Sequence, residues 1–339
     1  KIIHQAVTTK ETCAIAQSRL SLLLLAEGDA DRSVSTIESA LENDPKNADL
    51  HEIAGDIKRK LGRTVEALSH HQAARQLQPG EPRHSLKLGD IFIQDRPAPY
   101  NAVLERLFLD LMQKSAGMRS DSDYWSYAEL LLTQNPKTKD LFSKAESDKK
   151  FIAYVASCIV EQPLLVACLT SFPIPNLELE RSITNLRKAL LLAEVELKDL
   201  QDRLFVLSMI SIQCLLNDFI YPETTSETER AAELEGRLDA RIRCAEDINL
   251  DDLLLLACYR RLAQKDWSSA YYESNREKFT SEVWFKFHFA DPIQERAIAK
   301  TIPQLTKLKN NTSEIVRAMY EESPYPKWTS AAYRSNLDF

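Results

Sequence analysis

The feature that most constrains the fold is a period of 34 residues in the first part of the chain. When the sequence is shifted by one period, small residues, apolar residues and prolines coincide. The coinciding pairs are Gly55 with Gly89, Ala40 with Ala74, Pro45 with Pro79 and Ala54 with Leu88. A period of this length is typical of stacked helical hairpins, in which each unit covers the apolar face that its neighbour leaves bare. The front of the chain is therefore predicted to be an all-α helical array.

The spacing resembles that of the tetratricopeptide repeat (TPR), most clearly in the second unit. The residues that carry the resemblance there, within 48–81, are Ala54-Gly55, Gly62-Arg63, Ala67, Ala74 and Pro79. The first unit has Ser21 where glycine is usual, and the third departs from the pattern at PAPYN. Gly55 and Ala67 are expected to let two antiparallel helices approach closely, and Pro79 cannot continue its helix. We therefore expect a short array whose third unit supplies only one helix.

A candidate partner-binding groove follows from the same resemblance. In TPR proteins the first helix of each unit lines the concave face of the array. Carried over position by position, this implies a groove lined by Asp49, Glu52, Asp56 and Asp90. Such a groove would favour a protein or peptide partner, possibly a basic one. The alternative is a solvated acidic face that binds nothing.

Composition bears on cofactors and on other partner classes. The chain has 7 glycines in 339 residues, and none follows Gly236. Folds that hold a nucleotide or S-adenosylmethionine usually need a glycine-rich turn after their first strand. The net charge is −7, and no Lys/Arg run is long enough to suggest a nucleic-acid or membrane footprint. We therefore expect no cofactor, metal or catalytic residue in this chain, and neither nucleic acid nor membrane as a partner.

The cysteines indicate the redox environment. None of the six forms a CxxC pair, and most lie in apolar helical stretches such as VASCIVEQ and LLLACYRR. This pattern favours reduced, buried thiols over disulfides or a metal site. Thiols of that kind are typical of a reducing compartment, so we expect a cytoplasmic protein.

The rest of the chain is also predicted to be helical. A central helix is expected at LFVLSMISIQCLLNDFIY, which is apolar almost all round. The patterns predict TPR repeats over 1–96, a larger helical domain over 97–310, and a helix followed by an extended Pro/aromatic connector over 311–339. The predicted fold class is therefore all-α throughout, ending in an extended segment.

A second resemblance covers residues 177–328. The motifs that carry it are NLELERSITNLRKALL, CLLND, ACYRRL and MYEESPYPKW. They resemble the non-catalytic helical region of bacterial TPR-containing, S-adenosylmethionine-dependent methyltransferases, although Asp218 and Phe219 replace a Glu and a Tyr of that family. In the family a glycine-rich catalytic domain follows the last motif, whereas this sequence ends at Phe339 before any such domain. S-adenosylmethionine is therefore expected only if a methyltransferase domain lies downstream, and no cofactor residue is carried over.

The last motif also raises the possibility of a strap over a downstream site. Proline fixes φ and pushes the preceding residue out of the α region, so SPYP should be extended. The candidate strap residues are Tyr320, Glu321, Tyr325 and Trp328. They could shape the mouth of a following methyltransferase site, or their aromatic rings could simply pin a connector to the helical domain.

Three functions are compatible with these patterns. The first is the interaction and acceptor-recognition region of a TPR-linked methyltransferase. The second is a stand-alone TPR adaptor that binds a protein or peptide, and the third is the front end of a TPR-linked glycosyltransferase. The sequence beyond Phe339 would discriminate them: a strand with a glycine-rich turn supports the first, a stop codon the second, and a nucleotide-sugar domain the third.

Overall fold

The computed structural model describes residues 10–114, 121–144, 147–302, 314–317 and 319. Within those residues every regular element is a helix and there is no strand, which confirms the all-α class. The α-helices are α1 (Lys10–Ala26), α2 (Ala30–Asn43), α3 (Ala48–Lys60), α4 (Thr64–Leu77), α5 (Pro82–Asp90), α6 (Ala102–Lys114), α7 (Asp121–Gln134), α8 (Lys149–Glu161), α9 (Pro163–Ser171), α10 (Leu177–Leu191), α11 (Leu200–Leu216), α12 (Thr225–Arg243), α13 (Leu250–Ala257), α14 (Ser268–Asn275), α15 (Val283–Phe285) and α16 (Asp291–Ala299).

Four short helices of other types join them. Two are 3₁₀-helices, at Lys139–Phe142 and Leu262–Gln264, and two are π-helical, at Ile91–Asp95 and Lys286–Ala290. The chain divides into two compact units, the first ending at Gln134 and the second beginning at Asn135. The first unit therefore extends past the boundary predicted after residue 96, and it includes α6 and α7.

The 34-residue period reappears in the helix boundaries of the first unit. Helix α2 begins at Ala30 and α4 at Thr64, and the starts of α3 and α5 are separated by the same interval. The turns inside the two hairpins repeat as well, since Gly28 and Gly62 both have positive φ, 85° and 73°. Only glycine adopts that conformation without strain. The two hairpins thus share one local geometry, while their assignment to the TPR family stays a prediction.

The core of these hairpins consists of small and branched residues. Ile37 and Ala40 of α2 pack with Leu50, Ala54 and Ile57 of α3, and all five are buried. The small residues let the helices lie close together, and the branched ones fill the space between them. The regular array ends after α5, which runs into the π-helical segment Ile91–Asp95 and stops at Arg96 with φ 44°. This end lies where the sequence departs from the repeat.

The second unit is built around α11. All residues from Val206 to Cys214 are buried, which confirms the central helix that the apolar segment predicted. Helices α8, α9, α10 and α13 pack against it. An aromatic cluster that includes Trp284, Phe285 and Phe289 lies at α15 and the π-helical segment after it.

Helices α8 and α9 contribute apolar, largely buried faces to the same unit. Pro163 separates them, as the sequence indicated, and their axes meet at 90°. Among the described residues, no single helix is both long enough and apolar enough to cross a membrane. Helices α8 and α9 meet the requirements for length and hydropathy only when they are counted together across the bend. The cytoplasmic location stays a prediction.

Candidate partner-binding groove

Helix α3 presents three of the four predicted groove acids on one side. Asp49, Glu52 and Asp56 are spaced three and four residues apart, so a helix brings them to the same face. The helix begins at this point because Asn47 caps it, its side-chain oxygen accepting from the backbone N–H groups of Asp49 and Leu50 at 3.1 and 3.2 Å. The structure therefore brings these three acids together on one face of α3, while their role in a groove stays a prediction.

Basic residues of the next helix, α5, face these acids. Arg83 Nη2 lies 2.7 Å from Asp49 Oδ1. Lys87 Nζ lies 2.9 Å from Glu52 Oε1 and 2.6 Å from Asp56 Oδ2. The three carboxylates and two cations form a row that we call the charge ladder. Although burial works to lower it, hydrogen bonds to Asp56 and Glu52 raise the pKa of Lys87. The ladder leaves a formal charge of only −1, so α3 does not present the bare acidic face that the sequence suggested.

His84 completes the inner side of the ladder. Its ring is fully buried, with Nδ1 2.8 Å from Glu52 Oε2 and Nε2 3.2 Å from Gln78 Oε1. Glu52 itself is only 12% exposed, whereas Asp49 is 63% exposed at the open end. The ion pairs near Asp49 are thus largely in solvent and contribute roughly 0–1 kcal/mol each. The Lys87–Glu52 pair holds α3 and α5 together more effectively, whereas Glu52 Oε2 and His84 Nδ1 are buried without a hydrogen bond.

The fourth predicted groove residue, Asp90, lies outside the ladder. It ends α5, and its Oδ1 accepts from the side chain of Gln94 at 3.2 Å. Asp90 follows Asp56 by one 34-residue period in the sequence. At this point, however, α5 passes into the π-helical segment. The structure therefore groups three of the four acids and leaves Asp90 at the end of the array.

An open cleft of about 580 Å³ adjoins the ladder within the first unit. Its lining includes Leu22 of α1 and Asp56 of α3, which are one period apart, together with Arg59 and Asp95. Arg59 binds Asp95 through two hydrogen bonds, Nε to Oδ2 at 2.6 Å and Nη2 to Oδ1 at 2.7 Å. This pair raises the pKa of Arg59 and fixes the segment after α5 against α3. The cleft thus combines an exposed apolar side chain with the exposed Lys60 and with three charged groups, Asp56, Arg59 and Asp95, that ion pairs already hold in place.

Asp56 links the ladder to the buried side of the hairpin. His71 of α4 lies beneath it with Nε2 3.5 Å from Asp56 Oδ1, and the imidazole is 1% exposed. Burial lowers the pKa of His71 to about 4, although Asp56 works in the opposite direction. At neutral pH the ring is therefore an uncharged packing element.

Residues that the sequence did not single out form a buried polar centre in the second unit. Arg187 of α10 is 2% exposed, and its Nη2 donates to the Pro222 carbonyl at 2.8 Å and to Glu227 Oε1 at 3.4 Å. Tyr259 donates its hydroxyl to the same carboxylate oxygen at 2.9 Å, and its ring lies 4.4 Å from the guanidinium carbon. Burial acts to raise the pKa of Glu227, but the hydrogen bonds from Thr224 and Tyr259 and the Arg187 charge lower it overall.

This centre joins three of the segments that carried the methyltransferase resemblance. Arg187 comes from NLRKALL, Cys214 from CLLND and Tyr259 from ACYRRL. The segments are far apart in sequence, yet the arginine lies against the tyrosine ring and its charge acts on the buried thiol. Beyond these motifs, the sequence signal for the centre was a charged residue, Arg187, in an apolar helical stripe. We interpret the residues that these motifs contribute, Arg187, Cys214 and Tyr259, as structural.

Four of the five cysteines whose surroundings the structure describes are buried, as the sequence predicted for most of the thiols. Cys158, Cys168, Cys214 and Cys258 are buried and Cys244 is exposed, and none of the five forms a disulfide. Burial raises the pKa of Cys158 and of Cys214 to about 11. The thiols are therefore protonated near neutral pH, which makes these two poor nucleophiles. Within the described residues, no three His, Cys, Asp or Glu side chains are grouped so as to hold a metal ion.

The candidate strap cannot be placed in this way. Tyr320, Glu321, Tyr325 and Trp328 lie outside the described residues, so their role stays a prediction.

Comparison of the chain with protein-family models and with curated proteins finds no match. Both family resemblances accordingly stay predictions that rest on the motifs themselves.

Proposed function

We propose that this chain is a recognition region without chemistry of its own, and that its first unit binds a protein or peptide in the cleft beside Asp56. The observation that carries the proposal is that Leu22 and Asp56, one period apart, line the same cleft. Stacked repeats build extended binding surfaces in this way, because equivalent positions of successive units face a common side. The cleft is open, so a side chain of a partner can enter without rearrangement of the hairpins.

The lining defines the chemistry of the partner. Leu22 is 39% exposed and offers a contact for an apolar anchor. Asp56 can accept from a basic or polar group, but it is already bonded to Lys87 at 2.6 Å. A basic partner must therefore compete with that ion pair, and the Arg59–Asp95 pair is likewise satisfied. We expect affinity to come mainly from apolar contact, with only a weak dependence on salt.

We further propose that the partner is the methyl acceptor of a TPR-linked, S-adenosylmethionine-dependent methyltransferase. The support is the motif set over 177–328, together with the packing of three of its segments around Arg187. When bound, S-adenosylmethionine supplies the methyl group. The described residues contain no strand followed by a glycine-rich turn, the element that holds this cofactor in such enzymes. No residue of this chain is therefore assigned to it, and the recognition role is separate from the transfer step.

Peptide selection followed by a matched pair of variants tests the recognition role. Phage-displayed peptides are selected on the full chain, and the affinity of a selected peptide is measured by fluorescence anisotropy. Leu22→Ser should weaken binding about tenfold, the effect of losing one apolar contact. Leu23→Ser is the control, because Leu23 is 50% exposed on the same helix and does not line the cleft. Equal affinity in both variants, or no selectable peptide, would contradict the proposal.

The methyltransferase role needs a second assay. In a longer polypeptide that carries a catalytic domain after this chain, Leu22→Ser should raise KM for the selected peptide and leave kcat unchanged. That pattern indicates that the lost contact stabilises the bound peptide equally in the ground state and in the transition state. Methylation with the same KM in both proteins would show that the cleft does not receive the acceptor.

A further inference from the structure

A second cleft, of about 230 Å³, lies within the second unit. It is bordered by the end of α11, the 3₁₀-turn Leu262–Gln264, the π-helical segment Lys286–Ala290 and the start of α16. Leu215 and Pro292 give it apolar walls. The cleft is smaller than drug-sized pockets of roughly 300–1,000 Å³, so it suits a small molecule or a single chemical group.

The inner wall carries a buried histidine that has no hydrogen-bond partner. His288 is 1% exposed, and neither Nδ1 nor Nε2 makes a hydrogen bond. The backbone of Ser211 acts on the ring to raise its pKa. Burial outweighs this effect and lowers the pKa to about 4, so at neutral pH the ring offers one N–H donor and one acceptor nitrogen.

The local backbone also departs from ordinary helix around this ring. His288 lies in a π-helical turn between α15 and α16, and such turns occur frequently at functional sites. Buried polar groups are nearly always satisfied in folded proteins. An imidazole that lines a cleft with both nitrogens unsatisfied therefore points to a ligand that accepts a hydrogen bond from its N–H group.

Two arginines supply donors at the same cleft. Arg261 Nη2 lies 2.5 Å from Asp218 Oδ1, and the guanidinium carbon of Arg261 lies 5.8 Å from the centre of the Phe219 ring. These two contacts hold the guanidinium in place. Arg296 donates through Nη1 to the Ala263 carbonyl at 2.7 Å. A guanidinium has five N–H groups, so both arginines retain donors after these contacts. Glu295 lies in the same lining and repels ligands of high negative charge.

We propose that this cleft binds a small organic monocarboxylate, whose oxygens accept hydrogen bonds from His288, Arg261 and Arg296. Arginine matches the planar geometry of a carboxylate, and hydrogen bonds to a charged acceptor are the stronger ones. Glu295 disfavours phosphate and dicarboxylates, so the ligand carries one negative charge. This site lies in the second unit, and the proposal does not depend on the cleft beside Leu22.

Nuclear magnetic resonance of the full chain with ¹³C-labelled histidine tests the proposal. His288→Gln assigns the His288 ring signal, which is then followed during titration with butyrate, butyramide and inorganic phosphate. Butyrate should shift the signal in a saturable way, and the other two should bind at least about tenfold more weakly. N-acetylalanine distinguishes the source of the carboxylate: tighter binding than butyrate assigns it to a peptide C-terminus, and weaker binding to a free small acid.

Two arginine variants keep the test independent of the stability of the histidine variant. Arg296 is exposed, so Arg296→Ala should fold and should lower butyrate affinity about tenfold. Arg276→Ala is the control, since Arg276 is an exposed arginine of the same unit that does not line this cleft. A His288 signal that does not respond to butyrate, an equal response to butyramide, or wild-type affinity in Arg296→Ala would overturn the proposal.

Discussion

The imidazole of His71 lies against the backbone of Gly55, so closely that a Cβ atom at position 55 would stand 2.6 Å from Nε2. The sequence predicted that glycine here lets two helices approach. The structure gives a more specific reason, because the space above Gly55 is filled by an aromatic ring from α4. Helices α3 and α4 thus pack closely through the contact between Gly55 and the buried ring of His71, which lies directly beneath Asp56.

Substitution of Gly55 should therefore destabilise the protein although alanine favours helices. We expect Gly55→Ala to lower the free energy of unfolding by about 1–3 kcal/mol, because the ring or the helix must shift. Gly236→Ala is the matched control, since Gly236 is also within a helix but has open space around its missing Cβ. That change should raise stability by about 0.5–1 kcal/mol. Urea denaturation of both variants checks the pair, and stabilisation by both would contradict the account.

The stability of the first hairpins should depend on pH. The pKa of His71 is lowered from 6.5 to about 4 in the folded protein, so between these values the unfolded chain binds more protons. Folding stability contributed by the neutral ring is therefore complete above pH 6.5, is lost as the pH falls, and stops falling below about 4. Near pH 5 the loss should be about 2 kcal/mol.

Hydrogen exchange of the α3 and α4 amides, measured by mass spectrometry, checks this dependence. Protection should decrease between neutral pH and pH 5 after correction for the intrinsic exchange rate. His71→Gln should reduce that decrease, whatever its own stability, and the remainder is expected from His70, whose pKa burial also lowers. A variant with the wild-type pH dependence would show that another group titrates.

The polar centre of the second unit should be sensitive to loss of its single negative charge. Glu227→Gln leaves the Arg187 guanidinium buried without a counter-charge, which should cost about 3–5 kcal/mol. The control is Asp252→Asn, which removes the Arg237 partner from a partly exposed pair at 3.3 Å and should cost less than about 1 kcal/mol. Urea denaturation followed by tryptophan fluorescence compares the two, and equal effects would mean that the buried pair contributes little.

Thiol reactivity should separate the exposed cysteine from the buried ones. Under native conditions an alkylating reagent should modify Cys244 and leave Cys158, Cys168 and Cys214 unmodified, because burial hides these thiols and raises their pKa. Peptide mapping by mass spectrometry identifies the modified positions. Rapid modification of Cys214 would contradict the buried environment that surrounds Arg187.

The helices of the front unit were predictable because their determinants are local. The recurrent turn glycines at 28 and 62 follow the period, and so do the helix starts at Ala30 and Thr64. The central helix α11 was equally predictable, since a continuous apolar segment has to be buried. These features need no knowledge of distant contacts.

The electrostatics of the candidate site were not predictable in the same way. The acids of α3 were identified, but their partners Arg83 and Lys87 belong to the next repeat, and the pairing depends on how the helices stack. Arg187 is bonded to a residue 40 positions away, and His288 stands out only because its surroundings leave both ring nitrogens unsatisfied. Charge neutralisation and buried polar contacts are tertiary properties, and a single sequence does not display them.

The central claim, recognition without a cofactor of its own, is tested most directly by calorimetric titration of the chain with S-adenosylmethionine. A selected peptide, titrated into the same preparation, shows that the protein is competent to bind. The account predicts saturable heat for the peptide and none for S-adenosylmethionine. Tight binding of one S-adenosylmethionine per chain would contradict it.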